Sequence, residues 1–139
     1  MSFDPESWLM VAEVCCTTIP GVSREALLRT ALNRAYYAAL LALKHRIEAV
    51  QGPGSVPSRG THEALTQAVR VGGDGFEEVS RELSALRRAR ENADYVLTTV
   101  PLQWSEVHEK VRLSRRLIRN RIKAIPEAEF RRLRVPRAY

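Results

Sequence analysis

The sequence predicts an all-α protein, a single-domain antiparallel bundle of about five helices. Three observations point there. From Leu27 to Ile47 the chain reads LLRTALNRAYYAALLALKHRI, rich in the strong helix formers Ala and Leu and apolar on more than one face. Helix start and stop residues then recur along the whole length. No stretch shows alternating β patterning, an internal repeat or low complexity.

Asp4 and Pro5 begin the first helix, a side-chain cap followed by a residue whose missing N–H costs nothing there. It carries Trp8, Leu9, Val11, Ala12 and Val14, and runs to about Thr18 before Pro20-Gly21. Ser23 caps the central helix, and Glu25 in its first turn suits the helix dipole. Its apolar residues form two stripes, Leu28, Leu32, Ala35, Ala39 and Ala42, and Tyr36, Leu40, Leu43, Ile47 and Val50. A helix with this pattern is buried nearly all round, so it forms the middle of the bundle. It ends near Gln51, where GPGSVPSRG is a loop.

Thr61 is placed to cap a short third helix that stops at Gly72-Gly73. Asp74 opens a long fourth, Gly75 to Thr98, with Val79, Leu83, Leu86, Ala93 and Leu97 on one face. Ser105 is placed to cap a fifth, from Glu106 to about Ala124. Residues 1–125 thus make the bundle, and residues 126–139 a short helical turn from Pro126 and a basic tail.

The 139 residues suffice for one domain with a real core, and 45% hydrophobic with 27% charged residues is ordinary globular composition. The central helix is too short and too punctuated to span a membrane. With no cationic-then-apolar leader, and with only the neighbouring Cys15 and Cys16, a cytoplasmic protein is expected, with no metal or other cofactor. The net charge of +6 is uneven: Lys110 to Tyr139 holds eleven basic and two acidic residues, the remainder eleven and fourteen. That asymmetry suggests an anionic partner for the C-terminal segment. Arg112, Arg115, Arg116, Arg119 and Lys123 share one face of the fifth helix, a ridge that is a solvated face, a track for a nucleic-acid backbone or a seat for an acidic partner protein.

Two arginines fall in oily surroundings. Arg34 is the lone charge between Thr30 and Leu43, and Arg90 lies within about 20° of the centre of the fourth helix's apolar stripe. Such arginines need a carboxylate or a ligand. In one reading Arg34 and Asp94 form a buried ion pair, with hydrogen bonds from Tyr37 and Tyr95. In the other, Arg34, Arg90 and Tyr95 line a cleft for a phosphate or a base. His62 begins the third helix, as a local hydrogen-bonding group or a proton-transfer group. His45 and His108 stand among Lys and Glu, as solvated residues would.

Three segments resemble the HEPN family of helical proteins found in prokaryotic defence and toxin–antitoxin systems: NRAYYAALLAL (Asn33 to Leu43), GTHEAL (Gly60 to Leu65) and LRRARENADYVL (Leu86 to Leu97). The resemblance is to the small stand-alone branch with R-A-Y-Y and R-x-x-A-D-Y motifs, over roughly half the chain. It implies a compact helical bundle, a homodimer, contact with RNA or a nucleotide, and a partner such as a minimal nucleotidyltransferase. Many family members cleave RNA without metal through an R-x(4–6)-H motif, in which arginine stabilises developing charge and histidine moves a proton. Here that motif is absent and Tyr95 stands at the histidine position. With a pKa near 10, tyrosine is a poor base at neutral pH. The leading expectation is therefore a nucleic-acid- or nucleotide-binding interaction module, with Arg34, Tyr37 and Asp94 as ligand-binding residues. The alternatives are a dimeric metal-independent ribonuclease using Arg90, Tyr95 and His62, and a structural helical dimer that docks a larger complex.

Overall fold

The computed structural model describes residues 4–95 and 101–137, Tyr95 by its backbone alone. The side chain of Tyr95, with Leu97 and Thr98 at the expected end of the fourth helix, lies outside the described residues. Six helices, and no strand, make up the described part.

Helix α1 (Pro5–Cys15) starts as its sequence dictates: the Asp4 carboxylate accepts the Glu6 N–H at 3.0 Å. It stops three residues before Thr18, because the hydroxyl and N–H of Thr17 both turn back to the Val14 carbonyl. Helix α2 (Arg24–Gln51) is capped by Ser23, whose Oγ accepts the Ala26 N–H at 3.3 Å. At about 42 Å long it packs against every other helix. Leu28, Leu32, Ala35, Tyr36, Ala39, Leu40, Leu43 and Ile47 are all buried, so both predicted stripes face protein.

Helix α3 (Thr61–Arg70) corrects one expectation. Gly60, not Thr61, stands at its cap position, with a left-handed φ of 67° that glycine adopts without strain. Thr61 is already helical, and its hydroxyl donates to the Pro57 carbonyl at 2.7 Å. A 3-10 turn, Asp74–Phe76, leads into α4 (Glu77–Tyr95), which buries Val79, Leu83, Leu86 and Ala93.

Helix α5 (Trp104–Arg116) begins two residues earlier than Ser105 would set it, with Gln103 as cap. The Trp104 indole donates to the Cys16 carbonyl at 2.8 Å and fixes that entry. Deep in the core the Ser114 hydroxyl donates to the Ala35 carbonyl at 2.7 Å, tying α5 to α2. The helix then widens into a π turn, Leu117–Arg121, and closes with Ile122–Ala124.

Helix α6 (Glu127–Arg132) follows Pro126, as expected, yet it does not stand apart from residues 1–125. Phe130 is fully buried, edge-on to Phe76 at 5.1 Å, and Leu133 is buried too. Gln51 donates to the carbonyls of Phe130 and Leu133 at 2.8 and 2.7 Å. A Cβ on Gly72 would come within 2.9 Å of Leu133 and Phe76, so the close approach of this segment depends on glycine. Among the described residues no helix is long and apolar enough to cross a membrane.

Candidate functional site

The adjacent tyrosines of α2 form the floor of the site. Tyr36 is fully buried and Tyr37 half-buried, their rings 5.5 Å apart and inclined at 66°. The first turn of α3 lays the His62 ring on Tyr36 at 5.4 Å, nearly parallel, and edge-on to Tyr37 at 5.2 Å. Its Nδ1 lies 2.9 Å from the Tyr36 hydroxyl.

Helix α4 adds the charge. The Arg90 guanidinium lies over both rings, 5.3 Å from the Tyr36 centroid and 5.7 Å from that of Tyr37. Cation–π attraction favours that position. Among the described residues its Nε is buried without a hydrogen-bond partner, and the nearest carboxylate oxygen, on Asp94, is 3.8 Å away. That is an ion contact longer than a hydrogen bond. Arg87, one turn earlier, is engaged by Glu91 at 3.0 Å. Burial pushes the Tyr36 hydroxyl up to about 12. Burial, and then the charge of Arg90, hold His62 below its ordinary value. At neutral pH the site therefore presents a protonated phenol, a neutral imidazole and a cation whose hydrogen-bonding capacity is not used up.

Of the sequence-predicted residues, the structure brings together His62, Arg90, Tyr37 and Asp94. It separates Arg34 from them, which corrects both readings of that residue. Tyr36 and Arg34 are two positions apart, about 200° around the helix axis. Arg34 instead stacks on Trp8 of α1, 4.1 Å from the ring centroid, and donates to Asn33 at 3.2 Å. It lines a groove of about 380 Å³ with Ser7, Trp8 and Val11. Asp94 meets Arg90, its neighbour one turn earlier, and not Arg34. The Tyr95 side chain is not among the described residues. Two members of the cluster, Tyr36 as partner of His62 and Arg87, were not singled out by sequence. The signal for Arg87 was its position three residues before Arg90.

The basic ridge is also less free than its sequence suggests. Arg119 makes a two-bond contact with Glu6 at 2.9 and 3.2 Å, and Arg115 pairs with Glu13 at 3.0 Å. The hydrogen bond from Arg119 holds the Glu6 carboxyl below its ordinary value. Arg112, Arg116 and Lys123 remain exposed. Lys123 lies beyond the π turn, and its charge, with those of Arg119 and Arg115, acts on the Glu6 carboxyl.

His108, expected among solvated residues, stacks on Trp104 at 4.7 Å. Cys15 and Cys16 are buried free thiols, both pushed up by burial. Among the described residues no group of three His, Cys, Asp or Glu side chains is placed to hold a metal ion. No family model, curated protein or solved structure matches the chain.

Proposed function

We propose that this protein is a HEPN-like interaction module of a prokaryotic defence or toxin–antitoxin system, acting in the cytoplasm as a homodimer and contacting RNA or a nucleotide. A minimal nucleotidyltransferase is the kind of partner protein it would work with. The observation that carries this reading is the convergence of the three segments behind the family resemblance. Asn33–Leu43 supplies Tyr36 and Tyr37, Gly60–Leu65 supplies His62, and Leu86–Leu97 supplies Arg90. Residues far apart in sequence thus meet at one spot where aromatic rings, an imidazole and an incompletely matched guanidinium suit a nucleotide. The exposed Arg112, Arg116 and Lys123 add a phosphate-attracting surface.

Fluorescence anisotropy with labelled single-stranded RNA at low ionic strength tests the reading. Binding that weakens with salt is expected. Arg90→Ala should weaken it by about ten- to hundredfold, from roughly 1.5–3 kcal/mol for hydrogen bonds to a charged group. Absence of binding to RNA and to nucleotides at low salt would overturn it.

The ribonuclease reading draws on one observation, that Arg90 and His62 share the same tyrosine pair although no R-x(4–6)-H motif links them. RNA cleavage in EDTA, lost in both Arg90→Ala and His62→Ala, would establish that activity. A scattering mass measured alongside distinguishes dimer from monomer.

A further inference from the structure

We propose that Tyr36 locks His62 as the Nε2–H tautomer, so that His62 donates a hydrogen bond to a phosphate oxygen held against Arg90. This deepens the nucleotide-binding reading and rests on it for the class of ligand.

The Tyr36 side chain is fully buried, and among the described residues the one hydrogen-bond partner of its hydroxyl is His62 Nδ1 at 2.9 Å. A buried hydroxyl left without an acceptor for its proton is costly, so the phenol donates and Nδ1 accepts. A neutral imidazole carries one proton, which must then sit on Nε2. Burial keeps the phenol protonated and the imidazole uncharged near neutral pH, so the arrangement holds there.

With Nδ1 occupied, a ligand meets His62 through Nε2–H. Beside it stands Arg90, a group that carries donors and no acceptor. Among the described residues its Nε lacks a partner, and Asp94 at 3.8 Å is too far to claim its hydrogen bonds. Arg87 and Glu91 neutralise each other nearby. A surface made of donors selects a group made of acceptors. Phosphate fits better than a base edge, which mixes the two. The same lock removes His62 as a proton acceptor, since the nitrogen facing the ligand already bears its proton.

Long-range ¹H–¹⁵N NMR of the histidine-labelled chain, free of ligand at neutral pH, reads the tautomer directly. A protonated Nε2 and an unprotonated Nδ1 are expected for His62; the reverse overturns the proposal. Inorganic phosphate is then titrated to tens of millimolar, with adenosine monophosphate and a 5′-phosphorylated RNA as further arms. The His62 Nε2–H signal should move and saturate with phosphate, and should not move in Arg90→Ala. Tyr36→Phe should admit a measurable fraction of the Nδ1–H tautomer and weaken phosphate binding severalfold while helicity is retained. His62→Gln, whose amide can donate from a similar position, should bind within a few-fold of wild type, and His62→Leu at least tenfold more weakly. An unmoved His62 signal at the highest phosphate would overturn the inference, even if RNA bound elsewhere. The expected tautomer and phosphate response without RNA or nucleotide binding would overturn the wider reading and leave this one standing.

Discussion

Arg90 and Arg119 have the same chemistry and opposite fates. Arg119, half in water at the seam between α1 and α5, meets both oxygens of Glu6 in a forked pair. Arg90, with a side chain only 20% exposed, lies on two tyrosine rings while its nearest carboxylate oxygen is 3.8 Å off. A two-bond guanidinium–carboxylate pair consumes the donors on that edge of the arginine. A single distant oxygen does not. The number of cations on a surface therefore says little about which can hold a ligand. Carboxylate geometry decides: the α1–α5 seam has used its guanidinium donors on carboxylates, and the α2–α3–α4 cluster has not.

The sharpest way to break this division is to remove the floor of the cluster. Tyr36 is fully buried and supports both His62 and Arg90. Tyr36→Ala should cost about 3–5 kcal/mol, the range for emptying a large aromatic site in a core. Urea unfolding measures it. A loss well under 1 kcal/mol would mean that the ring is not part of the core, and the division between the regions would fail.

A second test lies on α5 itself, where one ion pair is partly shielded. Glu82 is buried, and Arg121 reaches it at 2.8 Å from a position 46% exposed. Arg121→Ala leaves that carboxylate without its strongest partner. The expected cost is about 1–2 kcal/mol, below the 3–5 of a fully buried pair because water reaches one side. Thermal unfolding compared with Arg116→Ala, an exposed neighbour, isolates the burial effect.

What the sequence revealed follows from which forces are local. Asp4-Pro5, Ser23, the Gly52–Gly60 loop, Gly72-Gly73 and Pro126 mark helix ends through chemistry confined to a few residues, and the helices lie where those marks put them. The double apolar face of α2 announced its central place for the same reason. Three things were not local. The hydrogen bond between Tyr36 and His62 joins residues 26 apart and depends on how α3 docks. Trp8 receives Arg34 only because α1 lies along α2. The π turn at Leu117–Arg121 has no residue signature. Arg90 was legible because its angular position on α4 is a property of the helix alone.

The cluster also carries a pH signature. His62 titrates below its ordinary 6.5, from burial first and Arg90 second, with Glu63 opposing and Arg87 adding. A histidine depressed in the folded state binds fewer protons there than in the unfolded chain, so stability rises with pH in this range. The contribution is whole above the unfolded value and is lost as pH falls from about 6.5 toward the folded one. Equilibrium unfolding between pH 7.5 and 5 should show that decline, and His62→Gln should flatten it. An unchanged slope in the variant would place the titration elsewhere.

The smallest effect tests the seam from the other side. Glu6 and Glu13 are solvent-accessible, so Glu6→Gln with Glu13→Gln should scarcely move the unfolding midpoint at physiological salt. The double variant should lack the Glu6 share of the acid response. In wild type the depressed Glu6 carboxyl contributes above its unfolded value near 4.5, and that contribution disappears as pH falls through the folded one. RNA binding gives the more telling measurement. Arg119 and Arg115, released from their carboxylates, rejoin Arg112 and Arg116 on α5. If that face tracks a single strand, two added phosphate contacts make the slope of log affinity against log salt more negative by about 1.4. An unchanged slope means that RNA does not track the α5 face.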